Sequence, residues 1–378
     1  MPKKPHASLS KVVALPPVKG TDSGNGRVVT LQRTQPVQYT LFQQFLPEDD
    51  REDYSNTIEL YEAIPKCFPN KKRMAELREG GKFLDHLERR FKHGARWYTV
   101  KILPARLEDK DGTWREYYPS PQEELVEEAL KKIACDRLNG VYLNDVAGVQ
   151  FTLFELRKEL QHRGHSMNFP NLMTSLRINR RCGIVLTNEE GETCLDSPIF
   201  PVLMLTRRRQ WEADPTASKC YVQFNPLVTH SINTLRYRQF NYMIFMKLSN
   251  QLARWFFKRL SHNYVQAGLM EPYTIKHSTI VRDSGLISYG RTRDQVRYVC
   301  EALDELSQEK VGILLRYVKQ ETTTLRGKIL EVNYVLHAHP SFISQVKKAN
   351  KRSMVITDMA LKAGILRTDD IAVRALEK

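Results

Sequence analysis

Arg291, Arg293, Arg297 and Tyr298 lie on a stretch, Arg291 to Leu306, whose Val296, Val299, Leu303 and Leu306 recur at helical spacing and occupy the other face. A guanidinium on such a face can donate two parallel hydrogen bonds to O6 and N7 of guanine in the major groove, and a tyrosine ring beside it can pack on sugar or on a thymine methyl. Surface helices also carry arginines for solubility, so the spacing permits base reading without requiring it. Downstream, Glu321 to Gly327 separates two strand-like runs, Val311 to Lys319 and Lys328 to His337. Thr322, Thr323, Arg326 and Lys328 bring hydroxyls and cations to that tip, which suits phosphate or minor-groove contact; an ordinary surface loop is the plainer alternative. An earlier set, Arg177, Arg180 and Arg181, closes another helix-like stretch, and the turn after it carries Glu189, Glu190 and Glu192, which phosphate would repel. That module is expected to combine backbone contact with self-association.

The elements that must position these groups repeat. Ser120-Pro121-Gln122-Glu123 combines a Ser cap, a Pro at the first helical position and a Glu that can cap in return. It opens a helix with Val126, Ala129, Leu130 and Ile133 on one face. A short helix over Phe151 to Leu160, a turn at Arg163 to Ser166, a helix from Phe169 to Asn179 and a hairpin follow, the hairpin joining Gly183–Thr187 through Asn188–Gly191 to a run from Phe200 to Leu205. The second copy reads as a long helix from about Arg238 to Ala267, a short helix Thr279 to Leu286 ending at Gly285, a turn at Ser288 to Gly290, the Arg291 helix and the final hairpin. Each copy has the order of a winged helix. The fold class expected is therefore α+β: two tandem winged-helix domains, 115–232 and 233–346, preceded by a disordered basic arm over 1–37, a short peptide at 38–47 and a small α/β region at 48–114, and followed by a basic tail at 347–378. In the 48–114 region Met74 to Phe91 has helical spacing, and Trp97–Leu107 with Thr113–Tyr118 reads as a hairpin turned at Asp109 to Gly112.

Composition narrows the partner. With 378 residues, 41% of them hydrophobic, the chain can bury more than one core, and its net charge of +15 and pI of about 9.5 favour a polyanion. No uninterrupted apolar run reaches the roughly 20 residues that span a bilayer, and the N-terminus does not read as a secretory signal, so membrane partners are not expected. Six cysteines lie far apart with no Cys-x-x-Cys, the pattern of reduced, packed thiols in the cytoplasm.

Catalytic signatures are weak, and neither a cofactor, a metal nor an enzymatic activity is expected. Gly80-Gly81-Lys82 lacks the upstream glycine of a phosphate-cradling loop. His337 and His339, one residue apart at a strand end, could share a metal as in a rolling-circle nickase, but that chemistry needs a tyrosine nucleophile and none follows Tyr334. Gln38-Tyr39-Thr40-Leu41-Phe42 fits the Gln-x-x-Leu-Phe shape of peptides that dock on the bacterial sliding clamp, with Gln38 on the pocket rim and Leu41 and Phe42 inside; a first strand of the folded part is the alternative.

With two winged helices, basic charge, this N-terminal element and no ATPase loop, the chain resembles plasmid replication initiators of the Rep/TrfA type over roughly residues 38 to 345. Asn56 to Tyr61, Phe151 to Arg157 and Val222 to Leu227 carry the flavour of these proteins. The resemblance implies a bacterial, nucleoid- or plasmid-associated DNA-binding protein whose second winged helix reads directly repeated double-stranded origin sites. It also implies a dimer that restrains initiation and so copy number, bound monomers that help open origin DNA to single strands, and recruitment of the host replicative helicase and sliding clamp. A winged-helix transcriptional repressor, reading one inverted site, is the rival from another class.

Overall fold

The computed structural model describes residues 36–44, 51–68, 71–78, 83–109, 112–135, 139–205 and 219–366. The arm expected over 1–37 lies outside them except for its last two residues, and Gly80-Gly81-Lys82 lies outside them too. The chain is an α+β protein with several small antiparallel sheets, in two halves along the chain. The first runs α1 (Val37–Gln43), β1 (Tyr54–Ile58), α2 (Glu59–Ala63), α3 (Lys71–Leu77), β2 (Leu87–His93), β3 (Arg96–Leu103), β4 (Ala105–Glu108), β5 (Trp114–Tyr117), α4 (Pro121–Ala134), β6 (Gly140–Leu143), β7 (Val146–Thr152), α5 (Leu153–His162), α6 (Phe169–Arg181), β8 (Gly183–Thr187), β9 (Thr193–Pro198) and β10 (Leu203–Met204). After β11 (Lys219–Gln223) the second runs α7 (Pro226–Asn233), β12 (Tyr237–Asn241), α8 (Tyr242–Lys247), α9 (Gln251–Asn263), β13 (Tyr273–Lys276), α10 (His277–Ser284), α11 (Thr292–Leu306), β14 (Leu314–Thr323), β15 (Ile329–Ala338) and α12 (Pro340–Lys362). The halves meet where β1 pairs antiparallel with β12, Asn56 opposite Gln239, and where α1 packs on α7.

Caps written in the sequence start the helices. Ser120 and Glu123 form the reciprocal box at α4, and Thr152 with Glu155 forms another at α5, so Phe151 and Thr152 end β7 instead of opening a helix. The long helix expected from Arg238 to Ala267 is broken. Residues 237–241 pair as β12, Asn241 caps α8, and Asn250 caps α9 by accepting the Leu252 N–H at 2.8 Å. Glu305 of α11 holds the break, accepting the N–H groups of Ser249 at 2.7 Å and Asn250 at 3.0 Å. Met74 to Phe91 is likewise not one helix, because Leu87, Arg89 and Phe91 alternate on β2, which turns at Gly94 (φ 58°) into β3. Pro104 ends β3, so only β4 forms the expected hairpin with β5. The partner of β8 is β9, not the Phe200–Leu205 run, whose β10 joins β11 in the sheet β10-β11-β7-β6.

Two further expectations are corrected. The Gln-x-x-Leu-Phe segment is neither a strand nor a free peptide: it is α1, with Leu41 and Phe42 3% and 1% exposed. Tyr39 donates to the Gly148 carbonyl at 2.7 Å, Phe42 meets Tyr237 edge-on at 5.1 Å, and Gln38 is half-buried. A clamp pocket needs the two apolar side chains free, and here they fill the core. The basic run after β15 is not a separate tail either. Lys347 to Arg352 belongs to α12, which buries Phe342, Ile343, Val346, Ala349, Arg352, Ile356 and Ala360, so the boundary expected after residue 346 falls inside a continuous helix. Arg352, 2% exposed, donates to Asn56 Oδ1 and to the carbonyls of Leu41 (3.3 Å) and Phe42 (3.2 Å), tying α12 back to α1 and β1. The end of the expected tail, 367–378, lies outside the described residues.

Six buried charges join the halves. Lys131 of α4 contacts Glu62, Glu127 (3.1 Å) and Glu128 (2.9 Å), Lys66 contacts Glu127 (3.0 Å), and Lys258 of α9 reaches both Glu62 and Glu128 at 2.7 Å. Three carboxylates face three ammonium groups, so the cluster is balanced. Burial alone would raise the Glu62 carboxyl, yet Lys131 and Lys258 hold it well below its usual range; for Glu128 burial wins and the pKa stays raised. Arg254 of α9 adds a contact to Glu124 of α4 at 3.1 Å.

Candidate nucleic-acid interface

The second half leaves one helix face and one hairpin uncovered. Val296, Val299, Ala302, Leu303 and Leu306 seat α11 in the core, and Gln295 fixes its start by donating to the Tyr289 carbonyl at 2.6 Å. Arg291, Arg293 and Arg297 are exposed to solvent. Arg297, its side chain 67% exposed, lies 3.3 Å from Asp294 and 3.8 Å from Glu301 on the same helix. Exposed pairs of this kind contribute about 0–1 kcal/mol, so a guanine edge or phosphate can displace them at small cost. Tyr298 is less open than the arginines. Its ring is half-buried against Tyr289, 5.5 Å between centroids, and burial pushes its phenol up to about 12. The pair sits where the turn enters α11, next to the arginine face.

Strands β14 and β15 pair from Leu314 opposite Ala338 to Thr323 opposite Ile329, and β13 flanks β15 on the other side. Thr322, Thr323, Arg326 and Lys328 are all exposed at the far end. The tip is closed by Thr324 N–H to the Lys328 carbonyl (2.8 Å), Gly327 N–H to the Thr324 carbonyl (2.9 Å) and Lys328 N–H to Thr324 Oγ1 (3.1 Å). Gly327 has φ +74°, a conformation that favours glycine.

In the first half α6 exposes Arg177, Arg180 and Arg181, and Arg181 donates to the Arg106 carbonyl at 2.7 Å. The following tip is acidic, although its acids differ in role. Glu189 accepts the Trp97 N–H at 2.5 Å and so ties the tip to β3, and Glu192 accepts from Asn188 Nδ2 at 3.0 Å, while all three glutamates remain exposed.

A cationic feature missed in the sequence surrounds Trp97. The Arg90 and Arg282 guanidinium carbons lie 4.5 and 4.7 Å from its ring centroid, and the Lys92 ammonium lies 5.9 Å away. Beside it a cleft of about 600 Å³ opens between the halves, where Asp283 pairs with Arg259 at 3.1 Å and Arg282 at 2.6 Å. The signal was the alternation of Leu87, Arg89 and Phe91 before Gly94, which a helical reading of Met74 to Phe91 concealed. The two histidines at the end of β15 do not converge on a common ligand: His337 stands opposite Arg316, and His339 caps α12 by accepting the Ser341 N–H at 3.2 Å. Among the described residues no group of three or more His, Cys, Asp or Glu side chains could hold a metal, and no helix is long and apolar enough to cross a membrane.

No family model matches the sequence, and no curated protein does. Among solved structures, the chain is similar over 68% of its length to domains 2 and 3 of RctB, at TM-score 0.44 and 9% identity, covering 93% of that chain. A second structure of RctB domains 2–3 gives TM-score 0.39, 8% identity and coverage of 70% and 96%. The Pi initiator protein in complex with iteron DNA gives TM-score 0.33, 11% identity and coverage of 77% and 99%.

Proposed function

We propose that this protein is a sequence-specific, double-stranded DNA-binding replication initiator, built from two winged-helix modules, of which the second reads the bases. The observation that carries the proposal is the pair of uncovered cationic elements in the second half: the Arg291, Arg293 and Arg297 face of α11 and the Thr322 to Lys328 hairpin tip. A helix of that width fits the major groove, and a hairpin beside it can follow the phosphate backbone. The +15 charge of the chain supplies a salt-dependent attraction on top of the specific contacts.

The proposed pair of unlike modules in one chain favours an initiator over a repressor. The modules are joined in one chain by buried charges, and their surfaces differ: α6 has its cations at its C-terminal end, α11 at its N-terminal end, and one hairpin tip is acidic where the other is basic. One copy therefore reads one asymmetric, oriented site. Several copies suit direct repeats, whereas an inverted site suits a symmetric dimer of single readers. Opening of adjacent origin DNA, helicase recruitment and a restraining dimer belong to the same proposal, resting on the resemblance of the sequence to plasmid initiators. Footprinting of the purified protein on DNA flanking its own gene, with magnesium present and products resolved on a denaturing gel, tests it. Evenly spaced protection over direct repeats with intact strands is expected; one symmetric protected site would turn the reading to a repressor, and a discrete single-strand cut would overturn the non-enzymatic reading.

A further inference from the structure

We infer that Leu325 is a wedge that enters a base step when the second hairpin meets the minor groove, so that the protein kinks its DNA at a defined position. This rests on the DNA-binding reading above. Leu325 has 109% of its reference exposure, the highest among the exposed large apolar side chains of the described residues. It is not a floppy loop residue. The three hydrogen bonds within Thr324 to Lys328, with Gly327 at positive φ, close a short hairpin loop and set Leu325 at its outermost turn position. Water gains nothing from a leucine there, and the fold uses it for no packing.

Its surroundings select the occupant. From Thr322 to Leu330 the tip has no acid, and Arg326 and Lys328 stand exposed on one side of the leucine with the hydroxyls of Thr322 and Thr323 on the other. The nearest carboxylates are engaged: Glu321 by Lys319 at 2.8 Å and Glu331 by the Ser278 N–H at 3.1 Å. Cations that can grip the phosphates of a narrow groove, with an apolar side chain beside them, fit the arrangement by which wedge residues unstack a step and bend the duplex toward the major groove. The equivalent tip of the first half, Asn188 to Glu192, has neither feature. Flexible pyrimidine–purine steps unstack at least cost, so the wedge should favour TA or CA there.

The test uses the full chain on a footprinted site labelled for end-to-end energy transfer, with 2-aminopurine scanned through the step beneath the tip. The parent should bring the DNA ends together and brighten 2-aminopurine at one step. Leu325→Ala should lose both signals and weaken binding by roughly 10-fold, the loss of a buried leucine's transfer energy, with the salt dependence unchanged. Leu325→Phe should keep the kink. Arg326→Ala should keep the kink while lowering the salt slope by about one. An Ala variant that bends and unstacks the DNA like the parent overturns the inference, as does an Ala variant that alters only the cooperative binding of a second copy. If the parent protects no site at all, the DNA-binding reading fails first, and footprinting shows this separately.

Discussion

Lys258→Met removes one charge from the buried cluster between the halves and keeps the aliphatic stem. Lys258 bridges Glu62 and Glu128, each 2.7 Å from its ammonium group, and every side chain of the cluster is 8% exposed or less. Removal leaves three carboxylates against two ammonium groups. Breaking a buried pair from one side costs about 3–5 kcal/mol, and because Lys131 still touches both orphaned carboxylates the lower end, about 3 kcal/mol, is expected. The loss should depend on pH. Glu128 already has a raised folded pKa, and losing Lys258 raises it further. A carboxyl whose folded pKa is raised carries no penalty below its unfolded value and an increasing one as pH rises through the folded value, so the deficit should be largest near pH 8 and shrink toward pH 5. Urea unfolding of parent and variant at both pH values measures it. Adding Glu128→Gln to Lys258→Met restores two carboxylates against two ammonium groups and should recover at least half the loss, a coupling that a double-mutant cycle isolates. A single variant within about 1 kcal/mol of the parent, or strictly additive substitutions, would refute the claim that this cluster holds the halves together.

Arg352→Ala should lower stability by about 2–4 kcal/mol, since charge-assisted bonds to two carbonyls and Asn56 are lost in the core; Lys351→Ala, on the exposed side of the same helix, should leave the urea midpoint unchanged. Arg297→Ala should weaken specific binding by roughly 1–3 kcal/mol and relax one base position, whereas Tyr298→Phe should leave the DNA affinity as it is; equal discrimination by the Arg297 variant in a competition binding assay would remove that residue from the reading face. Burial and the neighbouring Arg238 pull His262 down to about 3. The folded state thus resists a proton that the unfolded chain accepts below its ordinary value of 6.5. Stability should be fully present above that value and fall as pH drops toward 3, and His262→Gln should flatten this acid limb in a series of thermal melts.

Caps and apolar periods were the legible part of the sequence. Ser120 with Glu123 opened α4 where expected, and the α11 stripe was identified residue by residue, because both are local signals that tertiary packing reinforces. The errors share a cause. Tyr237 to Asn241 looks helical in isolation, yet it pairs with a strand far back in the chain, Tyr54 opposite Asn241 and Ile58 opposite Tyr237, and no local pattern announces such a partner. Leu41 and Phe42 matched a docking peptide because the same side chains that fill a partner's pocket can fill the chain's own core. Lys347 to Arg352 read as the start of a basic tail, but it is a helix with two faces: Arg352 turns inward on the helical period while Lys347 and Lys351 face water. The arginines of the proposed reading face on α11 were visible in the sequence, while the separate Trp97 cluster was not, being assembled from β2, β3 and α10.

The two halves present different surfaces although they are packed into one body. Their meeting point is internal, with β1 against β12 and α1 against α7. Their outer tips differ. A glutamate in the first hairpin tip is drawn back to the Trp97 N–H, which fastens that tip to its own sheet, whereas the second tip carries cations and a leucine out into solvent. One tip is therefore clasped to the fold, and the other stands free in solvent. Because buried charges fix the halves to each other, contacts made by α6 and α11 on one duplex would have to occur at one spacing and in one orientation, which would give each bound copy a direction along the DNA. Copies that share a direction can stack on repeats without a symmetry axis between them, and on the proposed reading the asymmetry within the chain becomes the polarity of the assembly.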